Sequence, residues 1–140
     1  MEEEKKNFVY RRAANYYETD QMAIIHHSNY VRWMEEARMA WMASLGVDYA
    51  EMERLGVISP VVSINVKYKK PVLYGETVDI EVSVKKYNGV KLALEYEMTN
   101  IETGEVTTIG ESTHAFMKDG KLVSLKRTLP VMDAMMSENS

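Results

Sequence analysis

Apolar and polar residues alternate with a period of two in three stretches of the second half of the chain. They are Val62, Ile64, Val66 and Tyr68; Val78, Ile80, Val82 and Val84; and Leu92, Leu94, Tyr96 and Met98. Successive side chains of a strand point to opposite faces, so each stretch predicts a strand with one face buried. Upstream the period is longer. Tyr30, Trp33, Met34, Ala37, Trp41 and Leu45 recur at steps of three and four, which places them along one face of a helix of about 17 residues. Ser28 or Asn29 is the expected N-cap and Gly46 the expected residue just past its end. A second short helix is expected over Asp48–Leu55, ended by Gly56.

The connections support this order. Phe8–Tyr17 reads as a strand, followed by the polar Glu18-Thr19-Asp20-Gln21 and the short apolar patch Met22–Ile25. Asn88-Gly89 predicts a two-residue hairpin, Glu102-Thr103-Gly104 a second hairpin and Asp119-Gly120 a third. Pro71 ends the strand before it. The stretch from Val106 to Lys118 alternates poorly and contains Gly110, which fits a strand buried on both faces with a close approach at the glycine. A short helix is expected within Thr128–Met136. One strand, a long apolar-faced helix and four or more antiparallel strands make an α+β domain spanning residues 1–140. The strand after Gly104 carries little edge-blocking charge, so pairing of two sheets across it is expected to produce a homodimer or homotetramer.

Composition mostly excludes. The 140 residues include 17 Lys and Arg against 21 Asp and Glu, a net charge of −4, and so lack the basic field of a nucleic-acid binder. No apolar run approaches the roughly 18 residues that cross a bilayer. Met1–Lys6 has no apolar segment of the kind a secretory leader needs, and the chain is therefore expected to be cytoplasmic. There is no cysteine, which removes thiolate nucleophiles, disulfides and Cys-held metal centres. Eleven methionines suit an adaptable apolar interior.

The remaining chemistry is concentrated between Glu18 and Glu36. Asp20 precedes the turn that feeds the long helix, and His26, His27, Ser28 and Asn29 lie at that helix's start. Amides of a first helical turn have no intrahelical acceptor and carry partial positive charge, so an oxyanion can be held there. A carboxylate aimed at the same point can attack or activate water. Spacing alone favours a simpler arrangement, with Asp20 in a turn and Ser28 or Asn29 capping the helix. Adjacent histidines rarely share one metal ion and no ligand spacing accompanies them, so no metal site and no cofactor is expected. Ser28 lacks the glycines of a nucleophile elbow. Glu35 is placed to pair with Arg32 and Arg38, while Glu36 falls nearer the apolar face and is a candidate acid or base. Lys67, Lys69, Lys70, Lys85 and Lys86 keep strand faces wet or meet a phosphorylated ligand.

Residues 17–38, YETDQMAIIHHSNYVRWMEEAR, resemble the opening signature of the 4-hydroxybenzoyl-CoA thioesterase family of hotdog-fold proteins. Residues 68–76, YKKPVLYGE, are similar to that family's strand-and-turn segment. The resemblance implies a hotdog fold, in which a curled antiparallel sheet wraps a long central helix, and an acyl-CoA thioesterase working as a homo-oligomer. It places the catalytic aspartate at Asp20, as nucleophile or general base, and the oxyanion-binding backbone N–H at His27. Ala23, Ile25, His26, Asn29 and Tyr30 then line the substrate, Val61, Val62 and Ser63 line the acyl channel at the subunit interface, and Lys67, Lys69 and Lys70 meet the CoA phosphates. Many members of that family carry Gly where this chain has Ala23, so a positive φ there would be costly. Two other readings use the same fold: a module that binds acyl-CoA or acyl-carrier ligands without hydrolysis, and a dehydratase using His27 and Glu36.

Overall fold

A computed structural model describes residues 7–20 and 22–139. The three period-two stretches join two further strands in one antiparallel sheet of five: β1 (Phe8–Ala13), β3 (Val61–Tyr68), β4 (Thr77–Tyr87), β5 (Lys91–Asn100) and β6 (Val106–Ala115), in the order β1-β4-β5-β6-β3. β2 (Val57–Ile58), β7 (Met117–Lys118) and β8 (Lys121–Leu122) form a small separate sheet. Four helices complete the described chain: α1 (Ser28–Ser44), α2 (Tyr49–Arg54), α3 (Leu125–Thr128) and α4 (Pro130–Glu138). The architecture is α+β, and among the described residues no helix is long and apolar enough to cross a membrane. Met1–Lys6, on which the expectation of no leader rests, lies outside the described residues.

The core forms where the two periods meet. Tyr30, Trp33, Met34, Ala37 and Trp41 of α1 are buried, as are Val78, Ile80 and Val82 of β4 and Leu92, Leu94, Tyr96 and Met98 of β5. At Gly110 of β6 the helix approaches the sheet closely. A Cβ there would stand 2.8 Å from the Met34 Sδ, so the missing side chain makes room for the thioether. Asp119 and Gly120 both have positive φ, 52° and 75°, and close β7 onto β8 as a tight hairpin.

Several expectations are corrected. β1 stops at Ala13, and Tyr16–Glu18 is a short 3-10 turn that redirects the chain. The N-cap of α1 is His27, with no side-chain cap; Asn29 is buried and bonds elsewhere. Three residues, not two, join β4 to β5, because the Asn88 side chain accepts from the amides of Val90 and Lys91 and widens the turn. The edge is also different. β6 lies inside the sheet between β5 and β3, and β3 is the edge strand. Its period-two apolar row is therefore open in the single chain, with Val62 59% exposed and Tyr68 51% exposed. The period is correct there, but among the described residues Val62 and Ile64 stay open, while Val66 packs against the core and Tyr68 meets Tyr30 of α1.

Candidate active site

One short turn positions most of the chemistry. After β1 the chain enters the 3-10 turn, passes Asp20 and reaches α1 through Ile24 and Ile25, which are tied back by bridges to Leu73 and Thr19. Glu18 organises this turn from a buried position. Its Oε1 accepts from Arg12 Nη1 at 2.9 Å and from the Asn15 amide at 2.9 Å. Its Oε2 accepts from Arg12 Nη2 at 3.0 Å and from Trp33 Nε1 at 2.8 Å. Its carbonyl accepts from the His26 amide at 2.9 Å and Asn29 Nδ2 at 3.0 Å. One residue thus joins β1, the turn that carries Asp20 and two turns of α1. A buried carboxylate is tolerated only with such pairing.

Asp20 is exposed at the mouth of this turn. Its Oδ1 accepts from the amides of Met22 at 2.8 Å and Ile24 at 3.3 Å, which fixes the carboxylate plane. Oδ2 has no protein partner among the described residues. The turn that builds this arrangement puts Ala23 at φ 60°, in the left-handed region that favours glycine. Replacing Ala23 by Gly is expected to stabilise the protein by about 0.5–1 kcal/mol in urea unfolding, with strain relief outweighing the added freedom of the unfolded chain.

At the start of α1 the amides of Asn29 and Tyr30 donate to the carbonyls of His26 and His27, and the Ser28 amide donates to His26 Nδ1 at 3.3 Å. The His27 amide has no acceptor among the described residues. Asp20, Ile24, Ile25, His26, His27, Tyr30, Tyr68, Lys69, Lys70 and Pro71 enclose a cleft of about 340 Å³. Its floor is aromatic: the Tyr30 and Tyr68 rings meet edge to face at 5.2 Å, and the His27 ring approaches Tyr68 at 6.4 Å. The Tyr30 hydroxyl accepts from the Val72 amide, and burial pushes its ionisation above the usual tyrosine range.

Of the residues expected at the site, Asp20, Ile25, His26, His27, Tyr30, Lys69 and Lys70 line this cleft. Lys70 is paired with Glu105. Ala23 and Asn29 shape the turn from behind, Asn29 through its bonds to Glu18 and His26. Lys67 sits instead in a concavity on the outer sheet face with Glu95, Glu97 and Glu111. Val61, Val62 and Ser63 begin β3, whose other end holds Tyr68; at about 3.3 Å per residue they stand about 16–23 Å along the strand from Tyr68. Glu36 does not face the cleft but binds Arg12 Nε at 3.1 Å, so one chain does not bring it to His27. Glu35 pairs with Arg38. Among the described residues no group of three acidic or histidine side chains is arranged to hold a metal ion. Glu18, Arg12, Trp33 and Tyr68 were not singled out for the site by the sequence. Only the parity of Tyr68 and its place in YKKP hinted at its role.

The model of the thioesterase-like superfamily matches residues 15–138. The chain belongs to the thioesterase-like superfamily. YneP of Bacillus subtilis (strain 168) is 46% identical over 99 residues, 71% of each chain. A DHNA-CoA thioesterase from Staphylococcus aureus superposes with a TM-score of 0.88 at 38% identity, covering 93% of this chain and 88% of that one. The 1,4-dihydroxy-2-naphthoyl-CoA hydrolase of Thermosynechococcus vestitus is 24% identical over 106 residues, 75% of this chain and 72% of its own. The enzyme class of this superfamily member is thioester hydrolase.

Proposed function

We propose that this enzyme hydrolyses an acyl-CoA to the free acid and CoA, as a cytoplasmic homo-oligomer of hotdog subunits whose sheet curls around α1. The observation that carries the reading is the pairing of two unengaged groups in one cleft. Among the described residues the His27 N–H has no acceptor and Asp20 Oδ2 has no partner. The thioester oxygen takes the His27 N–H, and the charge that builds on it during attack is stabilised by an amide already oriented before reaction. Asp20 then has two routes. As nucleophile its carboxylate bonds to the carbonyl carbon, the C–S bond breaks with CoA leaving as thiolate, and water hydrolyses the mixed anhydride. As general base it takes a proton from a water whose oxygen makes the same bond. Both routes consume one water and return acid and thiol. The apolar floor of Tyr30, Tyr68, Ile24 and Ile25 suits an acyl or aryl group, and relatives that act on aryl-CoA thioesters support a CoA substrate.

The exposed row of β3 supports the oligomer. Val62, Ile64 and Tyr68 on an unpaired edge are a template for a second copy of the same edge, and a two-fold pairing buries them. Such a pairing, antiparallel along β3, sets Val61, Val62 and Ser63 of one subunit beside the Tyr68 end of the other. Light scattering should give at least two copies per particle. Ile64→Glu should give a monomer with activity reduced at least about tenfold, since burying an unpaired charge at that strand is costly. The deciding experiment is a panel of acyl-CoAs with a thiol-detecting reagent. Thiol release from at least one acyl class is expected; tight binding without release across the panel would establish a non-catalytic module instead.

A further inference from the structure

His26 is held through its amide, its carbonyl and its ring. The amide donates to the Glu18 carbonyl at 2.9 Å. The carbonyl accepts from the Asn29 amide at 3.0 Å and from Asn29 Nδ2 at 3.3 Å. Nδ1 of the ring accepts from the Ser28 amide at 3.3 Å, and Ser28 Oγ lies 2.8 Å from the same nitrogen. A backbone N–H can only donate, so Nδ1 carries the lone pair and the proton of the neutral imidazole sits on Nε2. The Ser28 hydroxyl then donates to Nδ1 as well.

These contacts decide where the start of α1 directs its amides. The first N–H groups of a helix have no intrahelical acceptor, and His27, the N-cap, supplies no side-chain acceptor. The amides of Asn29 and Tyr30 are taken by the His26 and His27 carbonyls, and the Ser28 amide by the His26 ring. Of these four amides, only that of His27 has no acceptor among the described residues. It shares a peptide plane with the His26 carbonyl, and in a trans peptide the two point in opposite directions. With that carbonyl held against Asn29, the His27 N–H is turned away from the first turn of the helix. The His26 and His27 rings also stack, with centroids 4.2 Å apart and planes 33° apart, so a rotation of the first ring disturbs the second.

We infer that His26 is a positioning residue for turnover, whose unprotonated Nδ1 holds the start of α1 so that the His27 amide stays directed to the thioester oxygen. This rests on the thioester chemistry proposed above. A proton on Nδ1 removes the acceptor of the Ser28 amide and puts positive charge beside the positive end of the helix. The ring then releases the first turn, and kcat falls as the pH is lowered. An imidazole ordinarily changes charge between pH 5 and 8. The other titratable groups on the cleft are Asp20 and His27 from the same turn, Tyr30 of α1, and Tyr68, Lys69 and Lys70 at and just beyond the end of β3. Lys70 is paired with Glu105, and the Tyr68 hydroxyl donates to the His27 carbonyl at 3.4 Å. Glu18 meets His26 through its carbonyl, while its carboxylate is turned to Arg12 and Trp33.

The test measures kcat and KM across this pH range in wild type, His26→Ala and His26→Asn, with CoA release quantified by chromatography. The substrate is the acyl-CoA of the panel with the fastest release. Asn is chosen because its Oδ1 can accept from the amide two residues on, as in an Asx turn, and does not titrate. His26→Ala should lower kcat at pH 8 about tenfold with KM within about threefold, since losing a helix cap weakens the first turn by a factor of about five to ten. His26→Asn should stand at least about fivefold above His26→Ala. It should also lack the fall in kcat, about fivefold or more, that wild type shows between pH 8 and 5.5. A wild type without that fall, the same fall at the same midpoint in His26→Asn, or a His26→Ala with wild-type kcat overturns the role. Nitrogen-15 NMR of the imidazoles reads the tautomer, and an Nδ1–H form of His26 at pH 8 overturns it as well. Should His26→Ala fail to fold, the pH profile of His26→Asn and the tautomer decide. Release from no member of the panel overturns the thioesterase reading and the role in turnover with it; the other outcomes, with release intact, overturn the role alone.

Discussion

Asp20→Asn should lower kcat by about 10³-fold or more, with KM within about threefold of wild type. The substitution is chosen because the amide oxygen can keep the two bonds that Oδ1 accepts from the Met22 and Ile24 amides. The turn, and with it the His27 amide, then stays in place. What is lost is the negative charge and basicity of the oxygen facing the cleft, needed for attack on the carbonyl or for proton removal from water. Because Asp20 is exposed and forms no ion pair among the described residues, the thermal midpoint should barely move. The result is read as steady-state thiol release alongside a melting curve. Hydrolysis within tenfold of wild type, in a folded protein, would take the carboxylate out of the chemistry.

Glu18→Ala acts on the same site through the scaffold and should remove about 3–5 kcal/mol of stability, a large share of the ~5–15 kcal/mol of an ordinary domain. The carboxylate accepts from Arg12 twice, from the Asn15 amide and from the Trp33 indole. Truncation leaves Arg12 mostly buried with Glu36 as its remaining carboxylate, and strands the indole N–H in the core. Urea unfolding measures the loss, and a value below about 1 kcal/mol would show that the network contributes little. Arg12→Met combined with Glu18→Met should recover part of it, since removing both charges spares the cost of leaving one unpaired.

These two residues mark what the sequence could disclose. Asp20 was legible because a carboxylate just before a strongly periodic helix stands out, and because YETDQMAIIHHSNY resembles a known signature. The helix face and the buried rows of β4 and β5 were legible because both their neighbours lie within the chain. Glu18 was read as one polar residue in a turn. Its partners are six residues before it, at Arg12, and fifteen after it, at Trp33, and no local period reports that convergence. The edge strand was misplaced for a related reason: period two says that a face is covered, but not by which molecule. Val62 and Ile64 carry a core-like pattern that no described layer of this chain covers. Ala23 is the opposite case. The resemblance, with Gly common there in the family, made a positive φ at Ala23 a cost if the turn required one, and the backbone does adopt it.

That uncovered edge also governs how the enzyme would behave on dilution. If each cleft is completed across paired β3 strands, the number of working clefts follows the association equilibrium rather than the total protein. Above the dimer dissociation constant the rate rises in proportion to enzyme, whereas well below it the rate rises with the square of concentration. Specific activity then becomes a titration of the β3 pairing, and the cell sets catalytic output through how much of the protein it makes.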